Sequence, residues 1–255
     1  MYVDNENQNH KWEDDELRKY LLIFFGLLLT LGITSNSYAD RRSYVWTYEY
    51  MTMPKGVWEF ETYVTTEVPN LHKSNINVIK PQLELEYGIT ERWDIAMYQM
   101  WKFKNKAKEN DSEYEGFKLR TRYRIGEKGK FIVDPLLYFE YIRDDDFSKP
   151  SVGETKLVLA KDIGDFNISY NQVIKRNLEK EGKTDHEYAA GVSYAFTPRF
   201  RAGIESKGNY PKEKYAVGPT VSYTFNRAFV TLGAAFGLNE GPDDLQTRMI
   251  VGVPF

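Results

Sequence analysis

Basic residues recur at every second position between Lys118 and Arg124, and the positions between them are mostly aromatic or aliphatic. A period of two places alternate side chains on opposite faces of a β-strand, so the segment predicts one basic face and one apolar face. Basic groups spaced about 7 Å apart along a strand are suited to guiding anions through a water-filled pore. By the same alternation, the candidate pore-lining residues are the bases Lys118, Arg120, Arg122, Arg124, Arg199, Arg201 and Arg248 and the acids Glu59, Glu61, Glu84, Glu86, Asp94, Asp134, Glu140 and Glu205.

Charged residues at every second position of a strand form what we call a charged ladder. The basic and acidic ladders have two interpretations. In the first, they line an open lumen and select the ions that pass. In the second, acidic and basic ladders on neighbouring strands pair with each other and fill a narrow barrel, since opposite charges on adjacent strands support a sheet. A barrel of about twelve strands lies between the filled eight-stranded kind and the open porins. Small residues on the predicted inner face of the segments near residues 214–225 and 228–238 leave volume either for conduction or for another part of the chain.

Residues that could support catalysis are few. Outside the N-terminal region the sequence has two histidines, His72 and His186, and the sequence places neither beside an activated serine. We therefore expect no enzymatic activity. No cluster of histidines and cysteines has the spacing of a metal site, so neither a metal nor a cofactor is predicted. The acidic run at residues 144–146 offers oxygen ligands of the kind that Ca²⁺ uses, but such a run is more often simply solvated.

The elements that would position the charged residues are short segments of alternating polarity. Their connections are alternately short and long, with the long ones polar, which is the arrangement of periplasmic turns and outer loops in a membrane barrel. We predict about twelve strands, near residues 57–67, 77–89, 92–103, 114–125, 130–143, 153–162, 165–176, 186–196, 199–207, 214–225, 228–238 and 245–255.

The last of these segments is the clearest. From Leu245 to the terminal Phe255, one face carries mostly apolar side chains and the other carries polar or small ones, with few exceptions. About ten tilted residues of this kind cross a bilayer. The sequence has no long apolar run beyond residue 39, so membrane insertion would have to use strands.

The N-terminal region predicts a cleaved signal peptide. Arg18 and Lys19 precede an apolar run at residues 21–33, and the small residues Ser37 and Ala39 follow it. The run is shorter than the ~20 residues that a membrane-spanning helix needs, and its flanks are those of a secretory signal. We therefore divide the chain into a signal peptide (1–39), a periplasmic lead that tucks against the barrel mouth (40–56) and a barrel (57–255).

Composition excludes other classes of protein. After removal of residues 1–39 the chain has equal numbers of basic and acidic residues, whereas a nucleic-acid-binding protein usually has a basic excess. No nucleic-acid partner is expected. The chain also contains no cysteine, which excludes disulfides and thiolate metal sites. A sheet that closes on itself needs no such crosslink.

Aromatic residues flank several of the predicted short turns, where their rings suit the interface between lipid headgroups and water. The sequences YGITERW, YAFTPRF and YTFNRAF each place an aromatic residue on both sides of a tight polar turn. The predicted interface residues are Tyr87, Trp93, Tyr194, Phe200, Tyr223, Phe229 and Phe255.

Together with the run from Pro54 to Glu61 (PKGVWEFE) and the terminal aromatic strand, these turns resemble bacterial outer-membrane β-barrel proteins. They are similar in particular to a broad group of putative transporters linked to phenol-degradation pathways. The resemblance implies an all-β fold, a transmembrane antiparallel up-and-down barrel of about twelve strands, integral to the outer membrane of a Gram-negative bacterium. It implies contact with outer-membrane lipid and lipopolysaccharide, and delivery by the barrel-insertion machinery through Leu245 to Phe255.

The function expected from this fold is a passive, porin-like channel or transporter for small solutes. The first alternative is a structural or adhesive surface barrel with a filled lumen and no transport role. The second alternative is an outer-membrane lipid hydrolase, a class in which a serine–histidine pair is built on a twelve-stranded barrel.

Overall fold

Twelve antiparallel strands close into a single barrel in the computed structural model, which describes residues 42–106, 110–239 and 243–255. The predicted signal peptide lies outside these residues. The described part contains no helix long and apolar enough to cross a membrane. The strands are β1 Trp58–Val68, β2 Asn77–Thr90, β3 Trp93–Asn105, β4 Asn110–Arg124, β5 Asp134–Asp144, β6 Val152–Ile163, β7 Phe166–Asn177, β8 Thr184–Ala195, β9 Phe200–Asn209, β10 Lys214–Thr224, β11 Phe229–Gly237 and β12 Leu245–Pro254, with a short 3-10 helix at Leu71–Lys73 after β1.

The predicted terminal strand closes the barrel. β12 pairs with β1 in an uninterrupted antiparallel register from Glu59 opposite Pro254 to Val68 opposite Leu245. The main chains of Trp58 and Phe255 also exchange hydrogen bonds, of 2.8 and 3.2 Å. Closure satisfies the backbone groups that an edge strand would expose, which a bilayer cannot hydrogen-bond. The prediction of a closed transmembrane barrel is therefore confirmed.

Alternation along each strand separates a lipid-facing surface from the lumen. On β4, Arg120 and Arg122 are each 2% exposed, whereas Leu119 before them and Tyr123 after them are 48% and 46% exposed. The same alternation holds on the other strands, so apolar side chains form an outward belt. Members of this belt include Ile95, Met97, Phe139, Leu157, Ile168, Val192, Ile204, Val221, Leu232 and Met249.

Two boundaries differ from the predictions. The connection predicted at residues 104–113 is mostly strand, because Lys102 and Lys104 form ion pairs with Glu113 across the β3–β4 hairpin and extend it beyond the apolar belt. Conversely, β5 begins at Asp134 rather than near residue 130. The apolar run before it is largely exposed in the β4–β5 connection, which the Asp134 carboxylate helps to close by accepting a hydrogen bond from the Gly129 N–H (2.8 Å).

Candidate functional site: the occupied lumen

Residues 42–54, called here the luminal segment, run through the inside of the barrel and leave it at Pro54, which is exposed. The sequence predicted a lead that tucks against the barrel mouth, and this prediction is wrong for the described residues. The reason is a carboxylate deep in the wall: Glu205 on β9 accepts hydrogen bonds from three consecutive main-chain N–H groups, those of Val45 (2.7 Å), Trp46 (2.9 Å) and Thr47 (2.9 Å). Hydrogen bonds from N–H groups to an ionised carboxylate are charge-assisted and therefore strong.

Further polar side chains of the wall fix the rest of the luminal segment. The side chain of Asn171 on β7 accepts a hydrogen bond from the Tyr48 N–H (2.6 Å) and donates one to the Tyr48 carbonyl (2.9 Å). It thus satisfies the same two main-chain groups that a neighbouring strand would. The Asp94 carboxylate on β3 accepts a hydrogen bond from the Met53 N–H at 3.0 Å. The segment is therefore held by wall side chains, outside the ladder of the sheet.

Glycines in the wall let the luminal segment approach closely. A Cβ atom at Gly233 would lie 2.4 Å from Cγ2 of Val45, and one at Gly88 would lie 2.0 Å from the Pro54 carbonyl oxygen. Both distances are too short for any side chain, so the small residues predicted to leave volume on β11 receive the N-terminal part of the chain. This outcome is the second of the two alternatives that the sequence left open for them.

The charged ladders of β2, β3 and β4 pair with each other. Arg120 contacts Glu84 (2.8 Å), Glu86 (2.6 Å) and, more distantly, Asp94 (3.7 Å), and Arg122 contacts Asp94 (2.7 Å) and Glu86. All five side chains are at most 2% exposed. Ion pairs in this geometry fill their side of the lumen and leave no room for passing ions.

The luminal segment joins this ion cluster. Arg42 contacts Glu61 on β1 at 3.1 Å and Glu84 at 4.0 Å. The Tyr63 hydroxyl lies between the same two carboxylates and is 2.6 Å from Glu84. A cation carried by the segment thus balances acids of the wall.

The other predicted pore-lining residues occupy several environments. Lys118 pairs with Glu140 at 3.5 Å, and Glu59 is fully buried near the periplasmic end. Arg124 donates to the Thr52 hydroxyl (2.9 Å) and lies over the ring of Tyr50. Arg201 and Asp134 line the periplasmic cavity described below, and Arg248 lines the outer ones.

The prediction that Arg199 lines the pore is wrong. Arg199 lies exposed in the turn before β9, where its guanidinium donates to the Asn226 side chain at 2.9 Å, because β9 begins one residue later than predicted. It therefore does not line the lumen.

The prediction that Phe229 lies at the membrane interface is also wrong. Phe229 is fully buried in the lumen, in one hydrophobic cluster with Val45, Tyr63 and Ile250, because its position on β11 is in register with the inward residues Thr231 and Gly233. The remaining six predicted rings point outward or lie at the turns. Trp58 and Tyr87 pack with ring centroids 4.5 Å apart, and Phe166 and Tyr194 with centroids 4.8 Å apart.

Cavities remain on both sides of the luminal segment. At the end with the long loops, two cavities of about 430 and 550 Å³ share Lys118 and Arg248 in their walls. At the end with the short turns, a cavity of about 480 Å³ is bounded by Glu49, Tyr50 and Thr52 of the segment. The long loops mark the outer side of such barrels, so the segment separates an outer vestibule from a periplasmic one.

The outer vestibule has an excess of basic side chains, several of which the sequence analysis did not select. In the cavity of about 430 Å³ the basic lining residues are Arg42, Lys118, Lys156, Lys175, Lys207, Lys214 and Arg248, against the acids Glu140, Glu154, Glu187 and Asp243. The inward register of β9, which gave Arg201 and Glu205, also predicts Lys207. At the rim, the hydrogen bond from Lys149 to Asp144 raises the pKa of Lys149 above its ordinary value, so this lysine remains a cation at neutral pH.

The two histidines lie apart from each other and from the lumen. His72 lies in the exposed 3-10 helix and His186 points outward from β8. Among the described residues, neither imidazole forms a hydrogen bond or ion pair with a side chain, and no group of three potential metal ligands occurs.

No protein-family model matches the chain, and no curated protein matches it significantly. Solved structures do. An outer-membrane channel from Pseudomonas putida F1 has a TM-score of 0.57 with 13% identity, covering 83% of this chain and 100% of the channel. The KdgM porin, solved with disordered oligogalacturonate, has a TM-score of 0.50 with 12% identity, covering 78% of this chain and 98% of the porin. Escherichia coli outer-membrane phospholipase A, at a TM-score of 0.45 and 13% identity, is too distant to support an argument.

These similarities concern the fold. The closed twelve-stranded barrel, the outward apolar belt and the channel and porin structures that share the architecture define an integral outer-membrane β-barrel. Its similarity is to barrels of the channel and porin type.

Proposed function

We propose that the protein is a passive outer-membrane channel for small solutes and that the luminal segment closes it in the state described here. The observation that carries the proposal is the presence of a cavity on each side of a segment that does not belong to the barrel wall. A scaffold could be filled by its own wall side chains. Here β10 and β11 instead present small inward residues, and a separate stretch of chain takes up the space between the two cavities.

The contacts of the segment suit displacement. They are mainly hydrogen bonds to side chains and ring packing, with one buried ion pair between Arg42 and Glu61, rather than strand pairing. An isolated bridge between Lys55 and Gly88 follows directly after the segment. Water could replace many of these hydrogen bonds, so undocking costs much less than opening the barrel ladder. The ion cluster of β2, β3 and β4 would stay in place, and the conduction path would run along β7 to β11.

The segment gives a direct test. A variant that lacks residues 42–53 but keeps the signal region should show larger single-channel conductance in planar bilayers than the full chain. Altered migration of the unheated variant on gels would show that the barrel still folds. A folded variant without conductance would overturn the proposal and favour the structural or adhesive barrel with a filled lumen, which the fully paired ion cluster supports.

The narrower features of the proposal come from the sequence resemblance. They are membership of the transporter group linked to phenol-degradation pathways, contact with lipopolysaccharide, and recognition of residues 245–255 by the insertion machinery. We also propose that the barrel is not an enzyme, since neither His72 nor His186 has a hydrogen bond from its imidazole to a hydroxyl group among the described residues. Release of fatty acid from phospholipid vesicles by the purified protein would contradict this.

A further inference from the structure

The outer vestibule contains two cations that the protein itself does not neutralise. Lys207 on β9 and Arg248 on β12 both lie against the ring of Trp46, with Nζ 4.6 Å and Cζ 5.7 Å from its centroid. Their polar partners are neutral: Lys207 donates to Gln246, and Arg248 donates to the Thr65 hydroxyl (2.8 Å) and the Val45 carbonyl (3.0 Å). Among the described residues, no carboxylate lies within 4 Å of either charge.

The neighbouring cations show that this is a local property. In the same cavity, Glu154 pairs with Lys156 (2.7 Å) and Lys175 (3.1 Å), and Glu140 pairs with Lys118 (3.5 Å). The acids of the vestibule are therefore largely engaged by other lysines. Two like charges held near one ring repel each other, and the aromatic face offsets only part of that cost.

An anion would complete this arrangement. The guanidinium of Arg248 uses Nε and Nη1 for protein contacts, and its Nη2 has no acceptor among the described residues. Lys207 has donor capacity beyond its contact with Gln246. A carboxylate that bridges the two cations would form charge-assisted hydrogen bonds with both, in a vestibule that is partly shielded from water.

The lining of the cavity that contains the two cations is mixed, and apolar side chains lie among its charged and polar ones. Val45, Val173, Ala189 and Ala216 line the same cavity of about 430 Å³, a size within the ~300–1,000 Å³ of small-molecule sites. These apolar groups are nearly buried. An inorganic ion would make no packing contact with them, whereas the ring of an organic acid could pack against them. The chemistry of the site therefore fits a carboxylate attached to a compact apolar ring.

We propose that Lys207 and Arg248, positioned by Trp46, form a binding site for cyclic monocarboxylates in the outer vestibule. The proposal rests on the proposed channel function and deepens it by naming a class of solute. Lys207 and Arg248 contact the carboxylate. Trp46 is a positioning residue that holds the two cations side by side.

The test is calorimetric titration of the full-length barrel in detergent. Benzoate and cyclohexanecarboxylate should both bind, while benzyl alcohol, benzylamine and inorganic phosphate should bind at least ~tenfold more weakly, since each lacks either the carboxylate or the ring. Equal binding of phosphate and benzoate would overturn the assignment of a ring-bearing ligand. Equal binding of benzyl alcohol and benzoate would overturn the role of the cations.

Variants make the test specific to these residues. The double variant K207Q/R248Q should lose at least ~tenfold in benzoate affinity, whereas K73Q/K183Q, which removes two exposed loop lysines, should bind like the wild type. Trp46→Leu should weaken benzoate and cyclohexanecarboxylate alike, because it acts through the cations. Unheated gel migration reports the fold of each variant. A folded K207Q/R248Q barrel with wild-type affinity would reject the site.

Failure of the site and failure of the channel have different signatures. If benzoate binds and K207Q/R248Q abolishes binding, the site stands even when the wild type shows no conductance. If the wild type conducts without benzoate binding, and added benzoate leaves the current unchanged, the channel stands and the site is rejected.

Discussion

Arg120 is surrounded by three carboxylates in a part of the lumen that excludes water. Removal of one member of a buried ion pair leaves the opposite charge without compensation, which is far more destabilising than loss of a surface pair. Arg120→Met keeps a similar side-chain volume but leaves Glu84 and Glu86 with less positive charge. We expect it to lower the free energy of unfolding by about 3–5 kcal/mol, measured from urea unfolding followed by tryptophan fluorescence.

Arg199→Met is the matched control for this prediction. Arg199 lies exposed in a turn and its guanidinium contacts only a neutral amide, so its replacement should change the free energy of unfolding by less than ~0.5 kcal/mol. Similar unfolding midpoints for the Arg120 and Arg199 variants would mean that the cluster is solvated, contrary to the contacts described above.

The sequence predicted that the side chain of Arg120 points into the barrel, but it could not predict which groups surround that side chain. A period of two determines which face of a strand a side chain occupies, and it placed Arg120, Glu84 and Glu86 correctly on the inner face. Whether that face meets water or a packed interior depends on what else enters the barrel. Phe229 illustrates the competing signal: its place beside a turn favoured an interface residue, whereas its register with Thr231 determined its burial.

Glu205 connects the barrel wall to the middle of the luminal segment through three hydrogen bonds. Its carboxylate accepts three main-chain N–H groups, and hydrogen bonds to a charged group contribute about 1.5–3 kcal/mol each. Glu205→Ala leaves these donors without their acceptor. Even a net loss of about 3 kcal/mol would raise the ratio of undocked to docked segment by roughly a hundredfold. We expect longer or more frequent open events in planar bilayers.

Glu187→Ala provides the control for this element. Glu187 also lines the lumen, but its carboxylate contacts Lys175 and Asn209 rather than the luminal segment. Its removal should leave the frequency of opening near that of the wild type. If both variants opened equally often, general loss of negative charge would explain the effect, and the specific role of Glu205 would be excluded.

At the level of elements, the strands were predictable and the luminal segment was not. Each strand carries its own periodic pattern, and its neighbour follows after a short connection, so both the number and the order of the strands could be inferred. The segment also alternates, with aromatic residues at Tyr44, Trp46, Tyr48 and Tyr50, but this pattern does not show whether it lies in the wall or in the lumen. Its partners Glu205 and Asn171 lie more than a hundred residues away in sequence, and nothing local specifies such contacts. The apolar run before β5 misled the prediction because exposed loop residues there resemble the start of a strand.

Closure of the sheet determines the behaviour of the whole molecule. A barrel with twelve paired strands has no edge at which unfolding can begin. The wall is therefore expected to stay rigid while the luminal segment moves within it. Control of the segment without any change to the wall would separate a gated channel from a permanently filled scaffold, and the absence of cysteine from the chain makes a crosslink practicable.

A reversible disulfide between the luminal segment and β11 is expected to place opening under redox control. A Cβ at Gly233 would lie 2.4 Å from Cγ2 of Val45, and Val45→Cys leaves only one γ atom, which becomes part of the disulfide. Because Cγ2 is about 1.5 Å from Cβ, the two Cβ atoms lie no more than about 4 Å apart, which is compatible with the separation of about 3.5–4.5 Å that a disulfide requires. In the Glu205→Ala background, the oxidised variant V45C/G233C should remain closed, because the covalent bond replaces the lost hydrogen bonds. Dithiothreitol should then restore the open events of Glu205→Ala, while V45C alone in that background should not respond. A conductance that stays the same before and after reduction, with the disulfide verified by mass spectrometry, would show that the luminal segment does not control the path.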